Sequence, residues 1–315
     1  MTADLFDAPA VTIERDGWGR PKIIPPGGGK PVAYTRCTTF VDALEDKHGL
    51  TQWKMRQVAL GLADRPDLLL AVSAHRDSKD ELNRITAAAM DAAGAGSAAT
   101  TGTALHTLTE RHDLGQEIGP LPAAAHADLA AYIRTTGGLQ YAAIEQFRVL
   151  DDLKVAGTLD RLLEFSDRYV IGDIKTGDIT YGIGKIAMQL SVYARAQTYD
   201  PATGARGVDA KPIDLQQALI IHLPAGKGTC SLHWVDIAAG WDAVQLAAQV
   251  RKWRGRRNLT KEFVPATSPE LLTEISAVAD IDTLRALWLD LESQGLATDE
   301  VTAACKARAL ELAGI

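Results

Sequence analysis

Cysteine is scarce in this chain: Cys37, Cys230 and Cys305 are the only three in 315 residues, and no two form a C-x-x-C pair. That spacing excludes a zinc ribbon or a four-cysteine iron–sulfur cluster built from one chain, and it fits a reduced, cytoplasmic setting. No uninterrupted apolar run reaches membrane length, and the N-terminus carries Asp4 and Asp7 without an apolar stretch, so neither a spanning helix nor a signal peptide is expected. Positive charge is in deficit as well. With a net charge of −7 and a pI near 5.5, the chain is not coated in basic surface, although a global sum leaves room for one local basic groove. The pattern G-x-x-x-x-G-K-[ST] is missing, and Gly182 to Lys185 is too short for it, which excludes an ATP-driven helicase.

What is present is an ordinary globular composition, 46% hydrophobic, long enough for one large domain with an appendage or two modest ones. The most informative stretch runs from Val155 to Gly177, VAGTLDRLLEFSDRYVIGDIKTG. Two apolar runs, Thr158 to Phe165 and Tyr169 to Ile174, flank a polar break at Ser166 and Asp167, which reads as a β-hairpin. A turn centred between Ser166 and Asp167 sets Asp160 opposite Asp173, with Cβ atoms about 5 Å apart. Like charges in that position repel unless a cation joins them. Side chains two apart on a strand share a face, so Lys175 stands beside Asp173 while Ile174 points into the core. Paired carboxylates with an ammonium group at their edge can hold a metal, activate water and stabilise a phosphate. A salt-bridged surface hairpin would have the same pattern.

Along the chain, Pro25 to Gly29 suggest a flexible arm through residue 31. Tyr34 to Phe40 forms a short strand or a helix lead-in, with Thr38 or Thr39 as cap. The spacing of Phe40, Leu44, Leu50, Trp53, Met55, Val58 and Leu62 predicts helices interrupted at Gly49. Helices follow over residues 80–90 and 100–114. On the second of these, Gly102, His106 and Glu110 lie four apart along one face. His106 is a metal-ligand candidate or a core histidine. A helix over 123–135 places Leu129 and Ile133 inward, and Gln140 to Leu150 forms a strand containing Glu145, most simply facing solvent. The helix over 181–199 carries Lys185, Gln189 and Tyr193 on one stripe, suited to a phosphodiester or to plain helix surface. A second hairpin spans 215–237. The helix after it ends in RKWRGRR, where Arg251, Lys252, Trp253 and Arg254 suit a nucleic-acid backbone and a stacked base, or merely complement the helix dipole. Beyond Pro265, Ser268 is an N-cap candidate for a helix that includes Leu271, Leu272 and Ile275, and acidic helices over 281–291 and 298–312 predict a small C-terminal helical hairpin better suited to a protein partner than to DNA.

The series G-x-x-x-H (Gly102, His106), G-x-x-D (Gly157, Asp160), G-D-I-K-T-G (Asp173, Lys175) and Q-x-x-x-Y (Gln189, Tyr193) resembles the RecB-like branch of the PD-(D/E)XK nucleases. That branch includes phage recombination exonucleases and the CRISPR-associated adaptation nucleases. The resemblance covers roughly Thr100 to Asp236. It implies an α/β fold: a central mixed β-sheet flanked by helices, a restriction-endonuclease-like core over residues 97–264, behind a helical N-terminal region over 32–96. The C-terminal hairpin would occupy 265–315. It further implies that His106, Asp160, Asp173 and the main-chain carbonyl of Ile174 ligate Mg²⁺ or Mn²⁺. Lys175 would orient or deprotonate the attacking water, and Gln189 and Tyr193 would position DNA, with Lys185 on the same stripe. Glu145 and Glu110 are kept as support.

The cysteines that hold an iron–sulfur cluster in some members are missing here, so that cofactor is not expected. The resulting expectation is a metal-dependent DNA exonuclease acting at single- or double-stranded ends in recombination or repair, of a bacterial or phage kind. An oligomer, and a single-strand annealing protein as partner, are compatible with that expectation. The alternatives are a DNA-end-binding scaffold that cuts little, and a structure-specific endonuclease.

Overall fold

In the computed structural model, which describes residues 13–180, 182–260 and 268–314, the stretch expected to be a flexible arm is folded from residue 13 onward. Strand β1 (Lys22–Ile23) pairs antiparallel with β2 (Val32–Ala33). The return is made by Gly28 and Gly29, both at positive φ, where side-chain-bearing residues are strained. Ile23 is fully buried in a cluster with Tyr34, Val149 and Ala156, and the Ile24 N–H donates to Tyr199. Burying Ile23 and bonding its neighbour's backbone outweigh the turn-rich composition. Residues 1–12 of the expected arm lie outside the described residues.

Strand β3 (Thr35–Arg36) runs straight into helix α1 (Cys37–Val41). The expected threonine cap is not used: Arg36 occupies the cap position and Thr38 and Thr39 lie inside the helix. Helices α2 (His48–Asp64), α3 (Pro66–Ala74) and α4 (Lys79–Ala92) make up the helical N-terminal region. Gly49 lies within α2 rather than breaking it, and Leu50, Trp53 and Met55 are exposed. The glycine that matters is Gly61, where a Cβ would fall 1.8 Å from the Ala89 carbonyl oxygen, so α2 and α4 cross in direct backbone contact.

Helix α5 (Ser97–Asp113) is followed by α6 (Ala123–Thr136). Leu129 is buried as expected, but Ile133 faces out; Tyr132, one residue earlier, fills the inward position because the buried face runs through Asp128, Leu129, Tyr132 and Thr136. Then come β4 (Tyr141–Leu150), β5 (Val155–Glu164), β6 (Tyr169–Lys175) and α7 (Ile183–Arg195). The helix expected to reach residue 199 stops at Arg195, and β7 (Gln197–Tyr199) instead pairs with β4 at Arg148 and Val149. The gain is a partner for the far edge of β4. Tyr181, at the expected start, lies outside the described residues. Strands β8 (Arg206–Gly207), β9 (Gln217–His222) and β10 (Ser231–Asp236) and helix α8 (Ile237–Arg254), capped by the Asp236 carboxylate, follow.

The sheet runs β10-β9-β6-β5-β4-β7-β8, with β3 beside the start of β5. It is mixed: β6 and β9 are parallel, since α7 crosses between them, while the hairpins are antiparallel. One face packs Leu162, Ile171 and Ile220 against α1, α7 and α8; the other packs Ile174 and Ile221 against Leu129 and Tyr132 of α6. The fold is therefore α/β, a mixed sheet flanked by helices.

The chain divides into two compact units, Met1–Gly255 and Arg256–Ile315, so the division falls inside the basic RKWRGRR segment rather than after residue 264. In the second unit, the expected Ser268-capped helix α9 (Pro269–Ala277) precedes the helical hairpin of α10 (Ile281–Ser293) and α11 (Asp299–Ala313). Ser268, Asp280 and Thr298 cap them, and Ile275, Leu284, Leu291 and Val301 form their common core. Among the described residues no helix is long and apolar enough to cross a membrane.

Candidate active site

The β5–β6 ladder runs from Glu164–Tyr169 to Arg161–Gly172, a register that places Asp160 level with Asp173 at the next step. There the strands stop pairing through backbone alone: the Ile174 N–H donates to the Asp160 carboxylate at 2.9 Å. Asp160 is thus turned toward β6 at the C-terminal end of that strand. On its other side, β4 pairs Ile144 with Arg161 and Gln146 with Leu159, so Glu145 stands level with Asp160 too. Glu145 has φ of 49°, a left-handed conformation rarely adopted by a residue with a side chain, and it marks a local break in the β4 ladder.

Helix α5 brings His106 to this point. Its Nδ1 lies 3.6 Å from Asp160 Oδ2, and the Ile174 main-chain carbonyl is within its hydrogen-bonding reach. Gly102, one turn earlier, makes the approach possible, because a Cβ there would sit 2.7 Å from Thr176 Oγ1 in the loop after β6. Imidazole, two carboxylates and one main-chain carbonyl therefore converge from α5, β5 and β6.

Asp173 is almost wholly buried, and Lys175 Nζ lies 2.6 Å from its Oδ2. The ammonium is close but off the direction a hydrogen bond needs, leaving Oδ2 a buried oxygen without a hydrogen-bond partner. Burial, then the facing Asp160 carboxylate, pushes the Asp173 carboxyl up to about 6, despite Lys175. Asp160 is raised as well, chiefly by burial. Burial, then Asp160 and Glu110, pushes Glu145 up to about 7. Lys175 behaves in the opposite sense: burial is the largest influence and pulls it down, but Asp173 and Asp160 together outweigh it and hold it above the usual lysine range. His106 is lowered by burial, which keeps the imidazole neutral and able to ligate.

Two facing buried carboxylates share the single ammonium of Lys175, which leaves the site short of positive charge, and the donor set suits a divalent cation that prefers oxygen and accepts imidazole. Among the described residues no three His, Cys, Asp or Glu side chains are drawn together tightly enough to form a finished cage. Asp173 is held toward Lys175 instead.

The α7 stripe divides. Gln189 is half-buried beside the site. Tyr193, expected to touch DNA, is 4% exposed and is a core residue: its hydroxyl fits against Gly157, where a Cβ would lie 2.7 Å away, and burial drives its pKa far up. It interacts with the Gln189 side chain, so it acts through Gln189 rather than on a ligand. Lys185 is taken up by Asp42 at the end of α1. At the basic end of α8, Arg251 packs over the Phe40 ring and bonds Thr35, whereas Lys252, Trp253 and Arg254 are exposed.

Three neighbours were not visible in sequence. Cys37, buried at the start of α1, donates its thiol toward the Gln189 carbonyl at 3.7 Å, and burial pushes its pKa up to about 12, making it inert packing. His222 is the ladder partner of Lys175; its Nε2 lies 3.0 Å from the Gly177 carbonyl and its ring 6.0 Å from that of His233. Arg161 is held by Asp113 of α5. The first two have no local sequence signal, because they arrive through parallel pairings set by crossovers.

Comparison with family models finds no match, nor does comparison with curated proteins.

Proposed function

We propose that this chain is a metal-dependent deoxyribonuclease, hydrolysing phosphodiester bonds at DNA ends. The observation that carries the reading is the pair of facing carboxylates: Asp173, buried and ion-paired to Lys175, stands level with Asp160, with His106 arriving from a helix more than fifty residues earlier. A structural ion pair has no use for the second carboxylate. His106, Asp160, Asp173 and the Ile174 carbonyl would hold Mg²⁺ or Mn²⁺. Bound there, such a cation supplies charge neutralisation at the scissile phosphate and a more acidic water.

The protein's own groups have separable tasks. Lys175 stays an ammonium near neutral pH, which suits it to orienting water and meeting phosphate charge rather than to taking a proton. Gln189 donates and accepts at the rim of the site, its orientation fixed by Tyr193 behind it. Lys252, Trp253 and Arg254 present two cations and an exposed ring to a strand backbone and base.

The test is cleavage of end-labelled linear DNA and of closed circles in Mg²⁺ or Mn²⁺. Loss of linear DNA alone is the expected result. Nicked circles would make the enzyme an endonuclease. Binding without digestion in either metal would leave a DNA-end scaffold and overturn the catalytic reading, as would full activity in Asp173→Ala.

A further inference from the structure

The second unit has a feature that the nuclease reading does not use. Helices α10 and α11 leave between them an open cavity of about 460 Å³, within the range of sites that bind ligands. Its α10 wall carries Ile281, Leu284, Trp288 and Leu289, at i, i+3, i+7 and i+8, so that they form one stripe about 12 Å long. Cys305 closes the α11 wall. Leu289 is 63% exposed, a large apolar side chain left in water at the lip.

Charge narrows the choice of occupant. Between Ser268 and Gly314 there are nine Asp and Glu but only three Lys and Arg, and two of those three, Arg285 and Lys306, line this groove from opposite walls. The third, Arg308, is occupied by Glu311 and the Val278 carbonyl. Lys306 has no carboxylate partner among the described residues, and Arg285 has only the exposed Asp282, a pair that yields easily to a competitor. An apolar trough with a cation on each wall, set in an otherwise acidic surface, repels nucleic acid and complements a segment that is apolar on one face and acidic at its edges.

We infer that the groove between α10 and α11 docks an acidic amphipathic helix of a partner protein, apolar side chains on Trp288 and Leu289 and carboxylates on Arg285 and Lys306. This is helix-in-groove recognition, with anchors at i, i+3, i+4 and i+7.

The experiment uses the full chain and a fluorescein-labelled peptide of about twelve residues, with Leu at the four anchor positions and Glu elsewhere, followed by fluorescence anisotropy. The controls are the same peptide with Lys for Glu and a labelled single-stranded oligonucleotide. Saturable binding of the acidic peptide is expected, weakened about tenfold or more in Leu289→Glu and in the double variant Arg285→Glu/Lys306→Glu, with the double variant gaining affinity for the lysine peptide. Leu289, Arg285 and Lys306 are exposed, so circular dichroism should show these variants folded. Equal binding of both peptides, no binding of the acidic one, or indifference to charge reversal would overturn the inference. So would displacement of the peptide by the oligonucleotide, or a concentration-dependent dimer abolished by Leu289→Glu, which would assign the groove to a second copy.

Discussion

Two buried ionic clusters meet at the Asp160–Arg161 peptide bond, and they handle charge in opposite ways. Arg161 is 1% exposed, and its donors are met: Nε by Asp113 Oδ2 at 2.8 Å, Nη1 by the Asp160 carbonyl at 2.8 Å, and Nη2 by Thr109. Asp113 accepts from the Tyr132 hydroxyl as well. One residue away, Asp160 faces Asp173, both carboxyls are pushed up in pKa, and an Asp173 oxygen goes unbonded. The first cluster is complete without outside help. The second sets two facing carboxylates against the single ammonium of Lys175, and that shortfall of positive charge separates a structural ion pair from a candidate reaction centre in one stretch of strand.

Removing a partner from the complete cluster should have the largest effect. Arg161→Ala strands the Asp113 carboxylate in the core and is expected to cost about 3–5 kcal/mol. Denaturant titration would measure it, with activity per folded molecule retained. Equal loss of activity and stability would erase the distinction between the clusters. Lys175→Ala should do the converse, lowering DNA cleavage by at least about 10²–10³-fold while costing less stability than Arg161→Ala, because Asp173, already raised to about 6, takes up a proton when the ammonium is gone. Steady-state cleavage rates alongside melts would decide.

A smaller effect is expected on the α7 side of the carboxylate pair. Gly157→Ala places a methyl 2.7 Å from the Tyr193 hydroxyl and 3.3 Å from Cys37 Cβ, both held in the core. Overpacking of this kind costs about 1–3 kcal/mol and would tilt Gln189 through Tyr193. A fall in kcat without unfolding would report the tilt.

The smallest effect is a pH slope. The folded state binds the Asp173 proton more tightly than the unfolded chain, raising the carboxyl from 3.8 to about 6, so its contribution to stability is full below the ordinary carboxylate pKa and is lost as pH rises from about 4 through about 6. In chelator, wild type should therefore lose melting temperature over that interval relative to Asp173→Asn, and Mn²⁺ should flatten the difference by favouring the ionised form. A parallel pair of curves would show that Asp173 is not strained in the folded state.

Much of this site was legible because hairpins are local. A turn between Ser166 and Asp167 fixes by symmetry which residues face each other, and a two-residue period fixes which share a face with Lys175. The helix cap at Ser268 follows from short-range hydrogen bonding in the same way. Local reading failed where burial depended on distant chain: periodicity put Tyr193 on an open stripe although Gly157 and Cys37 enclose it, and Pro/Gly composition freed the arm at Ile23, which the sheet buries.

Sequence alone determined the facing carboxylates, the neighbouring lysine, the glycine spacings and the acidic character of the C-terminal helices, since each is set by residue identity and local period. Tertiary structure alone decided that His106 reaches Asp160, that Glu145 sits strained beside it, that Arg161 finds Asp113, and that α10 and α11 part to leave a groove. Those contacts join segments tens of residues apart, and their geometry depends on how close two backbones may come, a quantity no single stretch of sequence specifies.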